Sequence, residues 1–351
     1  MPAALARSSD PKHDEAVAPP GEEDELGVQM QNPLPGVPLI DSPFFDSLFP
    51  QVNPDAETRR IATDLRENGF AVLDFPDPDF ERLAEEIKAR HAPSPEKLTA
   101  WRAGRADLRI QDAWRTDPNV KRIAVNEKIL KLLETIYGWP AFAFQTLNFP
   151  VGSQQPAHSD STHFSSIPDG FMCGVWVALE DTDTENAPLI YYPGSHRWPH
   201  FGNEHIGVNS WHLPSRSAHG DRYRKLWDEL IALHGAKPQR FIAKKGQAII
   251  WHAHLLHGGD KQNDPMRSRF SQVTHYYFRG CAYYTPQHSD PFYGNIFFRQ
   301  LTDIAAGRPV PNMVSGREVP FWFLAQAIYH GPVGWIMLPL SRLKRKLLGE
   351  S

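Results

Sequence analysis

The sequence predicts an α+β fold in which helices come first and an antiparallel jelly roll follows. Two textures predict it. Before residue 140 the apolar residues recur at helical spacing, and after it they gather in short β-branched and aromatic runs broken by Gly, Pro, Asn and Asp. No βαβ rhythm or internal repeat is visible, which argues against a doubly wound sheet and a propeller.

Residues 1–35 mix Pro, Ala and Ser with the acidic run GEEDE, and such a stretch buries too little apolar surface to offset the entropy of ordering. A disordered tail is expected there. From about Val37 the pattern tightens. PDAETRRIATDLRENGF places Ile61, Leu65 and Phe70 near helical spacing and stops at Gly69, after which AVLDF reads as a strand. DPDFERLAEEIKARH and DPNVKRIAVNEKILKLLETIYG are amphipathic helices opened by Asp-Pro, the second closed by Gly138. The strands follow as AFAFQTLNF, FMCGVWVAL, APLIYY, QRFIAKKGQAIIWHAHLLH and RFSQVTHYYF. A segment near 196–237 interrupts them and carries a helix at RYRKLWDELIALHG. The expected division is a tail (1–35), one catalytic-sized domain (36–318) and a C-terminal extension (319–351).

Composition narrows the partners. With 351 residues, 41% of them apolar, the chain can bury a sizeable core, and a formal net charge of -4 offers no global field for nucleic acid. No nucleic-acid partner is expected. The two cysteines, Cys173 and Cys281, have no CxxC spacing, and the N-terminus lacks a charged-then-apolar leader, so a reducing cytoplasm is the expected compartment. From Val319 to Leu340 the extension has no charged residue, and the basic SRLKRKLLGE follows. Gly331, Pro332 and Pro339 interrupt it, so a helix pair docked on the domain or on a dimer partner is expected, with peripheral membrane contact as the second reading.

The chemistry concentrates in QPAHSDSTHF. If this stretch is extended, His158 and Asp160 share a face while Ser159 points away. An imidazole and a carboxylate so placed, with one distant histidine, make the 2-His-1-carboxylate set that leaves open positions on non-heme Fe(II). GQAIIWHAHLLHGGDKQNDPMRSRF offers three histidines. On one continuous strand Trp251, Ala253, Leu255 and His257 share a face; His252 and His254 take the other and read as ordinary buried or hydrogen-bonded residues. A hairpin about GGDKQNDP would then bring Arg269 close to His257.

These blocks carry a family resemblance. QPAHSD, GVWVALEDTDTENAPLIYYPGSH, KKGQAIIWHAHLLHGG and RFSQVTHYYF resemble, in order and separation, the phytanoyl-CoA dioxygenase family of Fe(II)- and 2-oxoglutarate-dependent oxygenases, over roughly residues 58 to 280. The resemblance implies a double-stranded β-helix core with flanking N-terminal and C-terminal helices, in which His158, Asp160 and His257 hold iron. It implies an arginine for the 2-oxoglutarate carboxylate, placed on Arg269 with Arg267 as the lesser candidate, and a tryptophan beside the oxo acid, at Trp176. Gln145 and Asn148 alternate out of phase, and Asn148 is the one expected to face the pocket. Ser195 and His196 read as turn residues with gating as the alternative. The implied reaction consumes dioxygen and 2-oxoglutarate, releases succinate and carbon dioxide, and hydroxylates a substrate carbon. Related iron halogenases lack the carboxylate ligand, so Asp160 implies hydroxylation and not chlorination. The Arg-, His- and Trp-rich segments at 101–115 and 196–225 would suit an anionic or sugar-like small molecule. The alternatives are a non-catalytic jelly-roll binding protein and a zinc-dependent hydrolase using the HxD of His158 and Asp160 with the HxH of His252 and His254.

Overall fold

The computed structural model describes residues 31–209 and 216–320. The expected tail up to residue 30 and the apolar and basic extension beyond residue 320 lie outside the described residues.

Short helix α1 (Phe45–Leu48) leads to α2 (Ala56–Asn68), where the Asp55 side chain accepts from Thr58 N and Gly69, at φ 82°, closes the last turn. The chain then runs into β1 (Phe70–Asp74), α3 (Phe80–His91), α4 (Pro95–Arg102) and β2 (Ile110–Gln111). The third sequence-predicted helix is two, α5 (Pro118–Ala124) and α6 (Glu127–Tyr137). The reason is Asn126, whose side-chain oxygen accepts from Lys128 N and Ile129 N and so starts a new helix where the periodicity alone reads as continuous. Strands β3 (Ala141–Phe149), β4 (Ser165–Ile167), β5 (Met172–Ala178) and β6 (Leu189–Tyr191) come next, then α7 (Arg216–Leu233) inside the predicted insert. The series ends with β7 (Gln239–Phe241), β8 (Gln247–His252), β9 (His257–Gly259), β10 (Ser271–Phe278) and β11 (Ala282–Tyr284).

A six-stranded antiparallel sheet in the order β1-β8-β5-β10-β3-β2 faces a smaller sheet, β7-β6-β9. Strand alternation sorts the side chains into two cores. Val175, Val177, Ala248, Ile250 and Tyr276 pack outward against Ile61, Leu65, Leu83, Ile87, Val120 and Leu133 of the helices. Trp176, Ile249, Trp251 and Val273 point inward to Leu189, Tyr191 and Phe241 around the smaller sheet. Each Val, Leu, Ile or Phe among them contributes about 1.5–3 kcal/mol by leaving water. The product is a jelly-roll core with helices covering one face, and its inner face is free to hold a site.

Candidate metal centre

QAIIWHAHLLH is not one strand. β8 stops at His252, the chain turns through Ala253–Leu256, and β9 begins at His257 in the smaller sheet. β9 and β10 therefore form no hairpin, because they belong to opposite sheets. The turn is tied to the HxD loop: Ser159 Oγ and Ser161 N both donate to the Ala253 carbonyl, at 3.0 and 3.1 Å. Backbone bonds from His158 N to His257 O and from His257 N to His158 O, at 2.9 and 3.0 Å, close the pair.

This lacing brings three side chains together. One potential ligand atom from each of His158, Asp160 and His257 lies within 4.8 Å of the others, with Asp160 and His257 buried. Ser159 is extended, so His158 and Asp160 leave the backbone on the same side, after which Asp160 opens a short 3-10 turn. The Nδ1 atoms of His158 and His257 each lie 3.0 Å from a carbonyl, of Pro156 and Leu255. With Nδ1–H donating there, both Nε2 lone pairs are left to accept a metal. Gln155 Nε2 approaches His158 Nε2 at 3.3 Å. Burial, then the neighbouring His257, lowers the His158 imidazole to about 3, so it is neutral at ordinary pH. Burial alone would raise the Asp160 carboxyl, but His257 and His275 beside it outweigh that and hold it well below the usual range. Trp251 Nε1 donates to Asp160 Oδ2 at 2.8 Å.

The cluster opens on a cavity of about 600 Å³ that Arg269, Trp176, Gln145 and His275 also line. Arg269 is 2% exposed, donates from Nη1 to Ser271 Oγ at 2.9 Å, and carries an Nε without a partner. Its guanidinium lies 5.8 Å from the Phe149 ring centroid and 5.6 Å from that of Trp176, whose own Nε1 is also unpartnered. Burial brings Arg269 down to about 10, still protonated at neutral pH. Arg269 reaches the cavity by a crossing from the smaller to the larger sheet, with its N bonded to Pro150 O, rather than by the expected hairpin. Arg267 pairs with Asp183 at 2.6 Å and lines no part of the cavity.

Asn148 requires a correction. Gln145, Leu147 and Phe149 of β3 line the cavity, so strand alternation sends Asn148 to the opposite face, where its Nδ2 donates to Gln272 Oε1 at 3.3 Å. His252 and His254 also face away, pairing with Asp41 at 3.1 Å and with Asp169 at 3.3 Å. Ser195 Oγ accepts from Leu256 N, and His196 Nε2 lies 3.1 Å from Arg66 O, which are turn-fixing contacts. Sequence reasoning missed His275, whose Nε2 lies 3.4 Å from Asp160 Oδ2 and whose Nδ1 lies 3.1 Å from Gln145 Oε1. Its signal was alternation: Arg269, Val273 and His275 sit at even spacing on the inner face.

Residues 48–268, more than half of the chain, match the family model described as Phytanoyl-CoA dioxygenase (PhyH). The chain belongs to the phytanoyl-CoA dioxygenase family. Within that family the peroxisomal phytanoyl-CoA dioxygenase of Rattus norvegicus is 25% identical over 244 residues, 62% of this chain and 67% of the relative. A phytanoyl-CoA dioxygenase domain-containing protein 1 homolog from Caenorhabditis briggsae is 33% identical over 163 residues, 45% of this chain and 54% of the relative, so the match spans about half of that protein. Among solved structures, the epimerase SnoN in complex with Fe3+, alpha ketoglutarate and nogalamycin RO is 20% identical, with TM-score 0.45 over 65% of this chain and 86% of that one. EctD from S. alaskensis with 2-oxoglutarate and 5-hydroxyectoine is 17% identical, with TM-score 0.46 over 77% and 83%. The phytanoyl-CoA dioxygenase match includes His158, Asp160 and His257 and stops one residue before Arg269. The residues present fit the family's cofactors: two imidazoles and a carboxylate suit ferrous iron, and a buried guanidinium with an orphaned Nε suits a carboxylate.

Proposed function

We propose that this protein is an Fe(II)- and 2-oxoglutarate-dependent dioxygenase that hydroxylates a carbon of a small molecule. The observation that carries the reading is the meeting, in one cavity, of the His158–Asp160–His257 cluster and an unpartnered buried arginine. His158, Asp160 and His257 would hold the metal, and Arg269 the far carboxylate of the oxo acid. Iron, the oxo acid and dioxygen together supply the oxidising equivalents, with succinate and carbon dioxide as coproducts. The chain's own part is positional. Carbonyls at Pro156 and Leu255 set the histidine tautomers, and the Trp251 indole N–H fixes one carboxylate oxygen. Arg269, braced by Ser271, orients the oxo acid through a planar two-bond fork, and Trp176 and Phe149 keep water from that fork.

The test is succinate release by the full-length protein with Fe(II), 2-oxoglutarate and dioxygen across a small-molecule library, followed by mass spectrometry under labelled dioxygen in chloride buffer. One labelled oxygen atom in the product is expected. A chlorinated product would exclude hydroxylation, and turnover supported by zinc without oxygen would replace the reading with a hydrolase.

A further inference from the structure

Arg299 lines the same cavity as Arg269 and, half-buried where Arg269 is buried, is braced by the same kinds of contact. Its Nη1 donates to Thr285 Oγ1 at 3.1 Å and approaches the His163 carbonyl at 3.4 Å, and its Nε is buried without a partner. Two aromatic rings lie against the guanidinium, Phe164 at 4.7 Å and Phe144 at 5.9 Å to the centroids. Arg269 shows the same three features: an Nη1 bond to a hydroxyl, an orphaned Nε, and a pair of aromatic rings. An Nε–H kept from water with no hydrogen-bond partner is unfavourable, so on a half-buried, cavity-lining guanidinium it points to an acceptor brought by a ligand.

The two arginines stand at different places on the cavity wall: Arg269 lies against Phe149 and Trp176 and is braced by Ser271, Arg299 lies against Phe144 and Phe164 and is braced by Thr285, and they share no ring and no hydroxyl. The metal cluster borders the Arg299 end: the His275 ring lies 5.1 Å from Phe164 while its Nε2 lies 3.4 Å from Asp160. A substrate held at Arg299 would therefore lie beside the cluster, with the oxo acid at the other end. Arg299 also lies past residue 268, where the family match stops.

We propose that Arg299, braced by Thr285, binds an oxyanion group of the substrate, which makes the substrate a small molecule bearing a carboxylate or a phosphate. The free Nε edge of the fork pairs such a group through two parallel hydrogen bonds, and Phe144 and Phe164 cover the adjoining carbon skeleton. The word substrate rests on the oxygenase reading; the anion site rests on Arg299 itself.

The test is calorimetric titration of the full chain with benzoate, phenylphosphate and the neutral benzamide, in saturating 2-oxoglutarate and again in an Arg269→Gln background. At least one anion is expected to bind about ten-fold or more tightly than benzamide, the worth of a charged hydrogen bond. Arg299→Gln should erase that preference and Arg299→Lys keep part of it, while Arg269→Gln should lose 2-oxoglutarate and keep the preference. The anion that binds more tightly tells phosphate from carboxylate. If Arg299→Gln does not fold, Arg299→Lys and Thr285→Val carry the comparison. Anion affinity equal to that of benzamide in the wild type, or unchanged by these substitutions, overturns the inference. Loss of 2-oxoglutarate binding by the wild type with the anion preference intact overturns the oxygenase reading instead.

Discussion

Trp251 lends its indole N–H to Asp160, and that single bond decides which carboxylate oxygen is free. Trp251→Phe keeps an aromatic ring, though a smaller one, and removes the donor, so metal affinity should fall by about 10–100-fold, as when other supporting hydrogen bonds around metal ligands are lost. A Mn(II) titration reads this, and unchanged affinity would show that Trp251 only fills space. His158→Ala, Asp160→Ala and His257→Ala should each abolish iron-dependent succinate formation, whereas His254→Ala should leave a folded, active protein. Arg269→Ala should weaken 2-oxoglutarate by about 2–5 kcal/mol, the usual effect of removing a buried partner from a charged ligand, with iron affinity little changed. Arg267→Ala should not, since Arg267 is occupied by Asp183. Equal losses in a 2-oxoglutarate titration would contradict this. At this scale HxD and Arg269 could be picked from the sequence because residue type and order carry the signal. Choosing Asn148 over Gln145 failed because only the register between β3 and β10, with its bulge at His275/Tyr276, tells which alternating set faces inward.

β5 and β8 run side by side, with Gly174 opposite Trp251. A Cβ at Gly174 would collide with the Trp251 indole, so this glycine makes room for the ring that holds Asp160. Gly174→Ala should destabilise the protein by about 1–3 kcal/mol, as overpacking of a filled core does. It should also weaken metal binding in parallel, which urea unfolding and the Mn(II) titration together read; a loss of stability with unaltered metal affinity would uncouple the two. The elements themselves were largely legible, since Asp55 and the Asp117-Pro118 step announce where helices open and Gly69 and Gly138 where they close. What periodicity could not show was the break between β8 and β9. Apolar alternation persists through Ala253 and Leu255 because those residues stay buried in the turn, so a change of sheet leaves no gap in the pattern.

Across the whole molecule, the N-terminal segment is fastened to the sheet by Asp41 and His252. Burial would lower His252, but the Asp41 carboxylate outweighs it, so its folded value lies above the ordinary 6.5. Burial likewise opposes the Asp41 charge and is outweighed by His252, so Asp41 lies below the ordinary 3.8. The neighbouring His196, lowered by burial to about 4, is neutral over most of this range. A raised histidine stabilises fully below its unfolded value and ceases to do so as pH climbs through its folded one; a lowered aspartate does the reverse on the acid side. The pair thus stabilises fully between the ordinary values of 3.8 and 6.5, and Tm should decline as pH rises from 6.5 through the raised His252 value, a decline that His252→Gln should flatten. An identical pH profile in the variant would assign the decline elsewhere. The lacing of the HxD loop to His257 has a mechanical meaning as well. His257 belongs to the small sheet, and Asp160 is held by Trp251 of the large one, so an ion shared by the two would rivet the halves of the sandwich at its mouth. Chelation should then loosen β6 and β9 ahead of β5 and β10. Amide exchange with and without Mn(II) should show protection gained chiefly in the small sheet, growing with the logarithm of metal concentration. Metal supply would then set what fraction of the molecules stands open at that mouth.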